Sequence, residues 1–424
     1  MSFLPLLAAW PLVIRALPED GSGLHLVTAM LDAPANSATA APENGWRANA
    51  LNTLQALVSG GQGESRLEAL QSCLGEMAER LSLVSRGLTD PLVHVHDQGL
   101  AEIAAGALLR FSPGQEQALV RTYPVLARHW TGTAIDWNAL SPRRLAAVPL
   151  DGGKSVQLPA LGQLIGEGAW SGLPGLPLAS SVGTAVWGDR EGACRRALAE
   201  AGERDAVGLW WYNRLGITPL AMGVAEEVLP EICANWISAR QRATRFFLLP
   251  SDLAQHVVMA LSWTGEGRMG VGGFAAAPDA AAALRSAFAE LVQGERMLDL
   301  RLAALSGQMP GAEGLPPALD LALNRDIRTG FRLDRDGSAA ATSLPKAFTA
   351  DALATSLLDR GMKVYVLDLT RPDIGLACSK VVSPDLIDWQ PRFGSCRLKG
   401  SIGAESRLQG IEREKDFSSR PFPF

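Results

Sequence analysis

Apolar and polar positions along this chain change period several times, and each change marks an element. Between Ser65 and Ser82, Leu67, Leu70, Leu74 and Met77 recur at helical spacing, with Ser65 and Glu68 as a capping-box pair in front of them. Residues 99–111 also read as helix, followed by a turn at "FSPGQ". The stretch 112–180 is mixed, with short apolar runs broken by Pro and Gly. A second long helix is predicted from Asp189 toward Arg214, and a third from Asp279 to about Leu305. "LHLVTAML", "RFFLLP", "HVVMALSW" and "KVYVLDLT" read as strands, and 306–318 as a loop. Helices and strands interleave without a regular βαβ beat, so an α+β chain of mixed sheets and packed helices is predicted.

Composition narrows the class. The 424 residues carry 39 Lys+Arg against 44 Asp+Glu, a net charge of −5, and 47% of them are hydrophobic. That is ordinary globular composition, with no basic footprint for nucleic acid and too much apolar content for disorder. The five cysteines are scattered, with no CxxC pair, which argues against a disulfide framework or a structural zinc and fits a reducing cytoplasm. The apolar run Phe3–Leu17 has no preceding Lys or Arg and is broken by Pro5 and Pro11. It is too short to span a bilayer and reads as an early strand or an apolar arm. No other run approaches twenty apolar residues, so a soluble protein without a membrane partner is expected. Residues 1–58 are expected as an N-terminal arm and small strand region of the same unit, 59–412 as the catalytic domain and 413–424 as a Pro-aromatic tail.

Three segments repeat one idea, a glycine-rich turn followed by a helix with acids at fixed spacing. "SGGQGESRLEALQSCLGEMAERLS" holds Ser72, Glu76, Glu79 and Arg80. "SVGTAVWGDREGACRRALAEAGERDAVGLWW" holds Arg196, Glu200, Glu203, Arg204 and Asp205. "GVGGFAAAPDAAAALRSAFAELVQ" holds Ser286, Glu290 and Gln293. Positions i, i+4 and i+7 lie within about 60° on a 3.6-residue helix, so each set shares a face. Solvated faces with local ion pairs would use the same spacing. Leu74, Met77, Leu198, Phe288 and Leu291 among the acids argue instead for buried helices whose carboxylates need partners. Clustered carboxylates repel unless cations lie between them, and oxygen ligands suit Mg2+, which commonly also holds nucleotide phosphates. The glycines would let backbone N–H groups approach those phosphates.

These residues resemble the YcaO family. "SGGQG…SCLGEMAERLS", "SSVGTA…ALAEAGERDAVGLWWYNRL", "GGF…ALRSAFAELVQ" and "VYVLDLTRPDIGLACSKVVSPDL" follow its signatures in order. "FSPGQ" and "PRFGSCRL" (391–398) resemble pieces of the azoline-forming branch, and the likeness runs from about Ser59 to Leu398. The resemblance implies an ATP-dependent, Mg2+-using cyclodehydratase. A Cys, Ser or Thr of a ribosomally made precursor peptide attacks the preceding carbonyl. ATP phosphorylates the amide oxygen, and phosphate leaves to give a thiazoline or oxazoline.

It further implies Glu76, Glu79, Glu203 and Glu290 as metal ligands. Gln62, Ser72, Arg80, Glu200, Arg204, Ser286 and Gln293 follow as nucleotide-site residues. The terminal Pro421, Pro423 and Phe424 would form a tail inserted toward the catalytic site. The implied partners are the precursor, a subunit that grips its leader and a flavin dehydrogenase.

Three departures stand out. Gln62 replaces the family's glycine-loop lysine, "PDL" (384–386) replaces "PGL", and "RPFPF" (420–424) is a shortened version of the branch's Pro-rich tail. The same family chemistry with sulfide or an amine as nucleophile would give a thioamide or amidine, and a weakly catalytic scaffold subunit is a third reading. Outside these motifs, His94 and His96 alternate as a metal pair would but lack a third ligand. Trp210, Trp211 and Tyr212 read as core or as a peptide-groove wall.

Overall fold

The structure is a computed structural model and describes residues 1–32, 58–95, 97, 99–173, 175–176, 178–305, 317–331, 333, 339–390, 392–400, 411–419 and 422. The loop expected at "APANSATAAPENG", most of the 306–318 loop, His96, Pro421, Pro423 and Phe424 lie outside them.

Three sheets organise the described residues. β1 (Leu12–Ala16), β2 (His25–Leu31) and β3 (Ser59–Gly63) form an antiparallel sheet in chain order. The largest sheet uses β4 (Val93–Val95), β5 (Ala101–Glu102), β6 (Arg143–Pro149), β7 (Val156–Pro159), β8 (Thr184–Trp187), β13 (Tyr365–Asp368) and β14 (Ala377–Val382). Its order is β5-β7-β6-β13-β14-β8, with β4 also on β6. A four-stranded antiparallel sheet runs β12-β11-β10-β9, from β9 (Thr218–Leu220), β10 (Ala243–Leu249), β11 (His256–Trp263) and β12 (Val271–Ala277).

One strand at the end of each sheet feeds a long helix through a tight turn. β3 leads into α1 (Arg66–Ser82), β8 into α2 (Arg190–Asn213) and β12 into α3 (Ala280–Leu305). Each helix starts at a side-chain cap. Ser65 Oγ accepts from Glu68 N, Asp189 from Gly192 N at 2.7 Å, and Asp279 from Ala281 and Ala282 N. The α+β expectation therefore holds, with mixed sheets and packed acid-bearing helices.

Some elements differ from the sequence reading. The glycine segments at 59–63 and 271–273 are strand, not turn. Their glycines serve close packing: a Cβ on Gly61 would sit 2.1 Å from Cys73 N, and one on Gly273 2.2 Å from Ala287 O. Only glycine lets the helix lie that near its own strand. The "FSPGQ" turn is a helix start, because Ser112 and Gln115 form a reciprocal capping box and Pro113 occupies the first turn of Pro113–Thr122. The 99–111 helix shrinks to Ala105–Leu109 after β5. Residues 4–9 form a short helix before β1, and Leu67 is exposed rather than part of the apolar stripe. The tail's lack of periodicity hides the helix Ile411–Ser418, whose Phe417 is buried against Tyr212 and Phe393.

The core forms where these helices cover sheets. Leu74, Met77 and Leu81 of α1 pack with Val27, Leu158 and Leu367. Leu284, Phe288 and Leu291 of α3 pack with Phe246 and Val258. Trp210 and Tyr212 are buried core residues at the end of α2. No helix among the described residues is long and apolar enough to cross a membrane.

Candidate active site

An edge strand leaves backbone N–H groups without ladder partners, and a buried donor needs an acceptor. Here the helix acids are those acceptors. On α1, Glu76 Oε2 accepts from Gly60 N of β3 at 2.7 Å, and three residues on, Glu79 Oε1 accepts from Val186 N of β8 at 3.2 Å. On α2, Glu200 accepts from Thr184 of β8 and Glu203 from Ala276 of β12. On α3, Glu290 Oε2 accepts from Phe274 N of β12 at 3.2 Å. Three residues further, Gln293 lies against Gly60 of β3, where an added Cβ would meet its Nε2 at 2.3 Å. In each unit the first position thus binds its own strand and the second reaches the next unit's strand. The three strand–helix units close into a ring, which brings acids from three distant segments together.

These acids face a cavity of about 650 Å³. Glu68, Glu76, Glu79, Glu200, Glu203 and Glu290 line it, with Arg80, Arg196 and Arg204 as the cationic side chains among its described lining residues. Ser72, Ser286 and Thr184 add hydroxyls to the wall. Arg80 pairs with Glu76 and also donates to Val58 O at 2.9 Å. Arg204 pairs with Glu203 and reaches Glu200 at 3.4 Å. Its guanidinium lies 3.7 Å from the Trp389 ring centre, and Arg196 lies over Trp187 at 3.7 Å.

Burial and crowding make the charge costly. Burial, then Glu200, pushes the Glu79 carboxyl up to about 8. Burial likewise raises Glu203 to about 8, with Arg204 opposing and Glu290 and Glu200 adding to it. Glu76, Glu200 and Glu290 are raised by burial against their neighbouring arginines. Burial disfavours the Arg204 cation, but Glu203, Glu200 and Glu290 outweigh it and raise its pKa. The cavity therefore crowds more carboxyl groups than its own cations can neutralise and keeps part of them protonated, a crowding that a hard divalent cation relieves.

Among the described residues no three acidic, His or Cys side chains converge into a ready-made metal cage. Mg2+ seldom needs one, because it takes one or two carboxylates and completes its shell with water and phosphate. An all-oxygen donor set beside room for a nucleotide fits that mode.

The structure brings together Ser72, Glu76, Glu79, Arg80, Glu200, Glu203, Arg204, Ser286 and Glu290. It does not bring Gln62 or Gln293 into the lining. Gln62 is paired with Leu26 in β3, one residue on from the glycine that packs on α1, so strand alternation sends its side chain to the other face. Gln293 is turned onto Gly60. Of the tail, Phe422 is described, and it stacks on Trp389 with ring centres 5.0 Å apart and planes at 11°. The tail thus touches the ring that carries Arg204, while Pro421, Pro423 and Phe424 lie outside the described residues.

Sequence reasoning missed Glu68, Gln71, Trp187 and Trp389. Glu68 could have been found, since it sits two turns before Glu76 on the same helix. Nothing local marks Trp389, which is delivered from the chain after β14.

A family model described as YcaO cyclodehydratase, ATP- and Mg2+-binding, matches residues 60–387. The chain belongs to the YcaO family. It is similar in fold to a heterocyclase solved in complex with substrate and cofactor, with TM-score 0.73 and 22% identity over 97% of this chain and 54% of that one. It is similar also to the YcaO from Methanopyrus kandleri bound with AMPPCP and Mg2+ (TM-score 0.58, 18% identity, 89% and 87% covered). A chain of the E. coli microcin synthetase McbBCD complex matches with TM-score 0.63 and 15% identity over 99% of this chain and 98% of that one. The YcaO chain described here spans about half the length of the first heterocyclase. A comparison with curated protein sequences finds no match. The ATP and Mg2+ expected from the sequence are the ligands in the family's description.

Proposed function

We propose that this chain is the ATP-dependent cyclodehydratase subunit of a peptide-modifying synthetase, turning Cys, Ser or Thr of a ribosomal precursor into thiazoline or oxazoline. The carrying observation is the ring of three strand–helix units, which points five carboxylates and two paired arginines into one nucleotide-sized cavity. Bound Mg2+ and ATP supply charge neutralisation and the phosphoryl group that makes an amide oxygen a leaving group.

The chain's own residues do the positioning. Glu76, Glu79, Glu200, Glu203 and Glu290 would hold Mg2+ singly or in pairs. Arg80, Arg196 and Arg204 would face phosphate oxygens, and Ser72 and Ser286 would orient them. Strand N–H groups fix each carboxylate in place before ligand arrives, which is preorganisation rather than induced order. The apolar cores behind α1 and α3 hold those helices rigid. The coverage of almost the whole of a microcin synthetase chain supports a multi-subunit setting, with the leader grip and the flavin dehydrogenase on other subunits.

Intact mass of a Cys/Ser-rich precursor co-expressed with this chain and its partner subunits tests the reading. Loss of about 18 Da per site, abolished by Glu76→Ala, is expected from removal of one water per ring under the phosphorylated-amide scheme. A gain of about 16 Da would assign sulfur exchange instead. An unmodified peptide in an assembled complex would overturn the proposal in favour of a scaffold subunit.

A further inference from the structure

The two motif pieces at 111–115 and 391–398 contribute no described residue to the acid cavity, yet Phe393 and Gly394 bolt the second to the first. Gln115 Oε1 accepts from both Ser112 N (3.1 Å) and Phe393 N (2.9 Å). Gly394 N donates to Arg110 O at 2.8 Å, so closely that a Cβ on Gly394 would lie 2.5 Å from Phe111 O. The joint aims two arginines at one small cavity of about 80 Å³, room for a few waters but not for a nucleotide. This cavity lies behind the acid cavity. Ala201 of α2 is in its wall, while the preceding Glu200 faces the acids.

Its lining is cationic and under-satisfied. Arg110, Lys380 and Arg392 line it, with Asp388 as the one lining carboxylate among the described residues. Arg110 reaches Asp388 only at 3.4 Å and Ser383 O at 3.2 Å, and its buried Nε has no partner. Arg392 lies over the Phe111 ring at 3.9 Å and donates to Leu178 O at 3.3 Å and Gln390 at 3.5 Å. These contacts are all longer than the ~2.9 Å of a well-made N–H···O bond. Lys380 is 3% exposed and donates to Ser180 O. Gln163, 5% exposed, lines the same space, and its side-chain amide bonds no described residue. Arg110 also sits in a left-handed backbone conformation (φ 53°), where glycine would be relaxed, so its side chain is kept at a cost. Burial pushes Arg392 down to about 10, so an anion placed here would stabilise its cation.

We propose that this cavity is a binding site for a small tetrahedral oxyanion of the inorganic phosphate class, held by Arg110, Lys380, Arg392 and Gln163. Two guanidinium forks, one ammonium and one amide supply the donors such an ion accepts from. The site is argued from its own geometry and does not depend on the reaction proposed above.

The test uses the full chain without nucleotide. Inorganic phosphate is titrated at low ionic strength and followed by 31P line broadening. Arg392→Gln is expected to weaken binding at least tenfold, Arg392→Lys less, and Glu290→Gln not at all. Crystals soaked in tungstate, read by anomalous scattering, locate the ion even if a variant folds poorly. A peak between Arg110, Lys380 and Arg392 supports the site. Unchanged phosphate affinity in Arg392→Gln, or tungstate only in the acid cavity or on the surface, overturns it.

Discussion

Glu79 and Glu203 occupy the second position of their units, reaching across to a neighbouring sheet edge, and both carboxyls are raised to about 8. At pH 7 groups raised that far are mostly protonated, so the ligand-free site stores protons on these two residues. Mg2+ binds the carboxylate form, so loading must expel them. Calorimetric titration of the preformed Mg2+ complex of a non-hydrolysable ATP analogue, in buffers of different ionisation enthalpy, counts the released protons directly. More than one proton is expected at pH 7, with fewer in Glu79→Gln and release tending toward zero above about pH 9. Affinity should rise steeply from pH 6 to 8 and then level.

The same groups set the sign of the ligand-free stability. Between about pH 4.5 and 8 the unfolded chain has ionised these carboxyls while the folded chain keeps its protons. The unfolded state therefore binds fewer protons, and stability falls as pH rises through that window. Release below about 0.3 protons in the wild type, with affinity flat from pH 6 to 8, would refute the claim that burial keeps these acids protonated.

Two further outcomes follow from packing and burial. Gly61→Ala would place a methyl 2.1 Å from the α1 backbone, against 4.0 Å to the nearest atom for Gly75→Ala. Denaturant unfolding should show a loss of at least about 3 kcal/mol for the first and under about 1 kcal/mol for the second. Burial pushes the Cys73 and Cys378 thiols up to about 12 and Cys233 to about 11, and raises Cys194, whereas Cys396 is exposed. A thiol reagent at pH 8 should label Cys396 first, in the native protein, and the buried Cys73, Cys233 and Cys378 only after unfolding. Rapid labelling of Cys73 or Cys378 in the folded chain would contradict their burial.

The acid spacing of the three helices was legible in the sequence because helical geometry is local. Ser72, Glu76 and Glu79 share a face whatever lies beside it. The caps at Ser65, Asp189 and Asp279 were legible for the same reason. What the acids are for was not legible. That Glu76 serves β3 but Glu79 serves β8, more than a hundred residues away, depends on which strands end their sheets. The glycines were open to two readings, since a phosphate-cradling turn and a strand pressed against its own helix both demand the missing Cβ. Only the 2.1 Å approach to Cys73 N decides for the strand. Gln62 shows the limit most plainly. Its place in a motif suggested a nucleotide contact, and strand alternation, a tertiary fact once β3 exists, turned it out of the cavity. Sequence determined which residues share a helix face. The closure of three sheet edges into one ring decided which faces meet, because pairing between distant strands is set by the whole core and not by any local run.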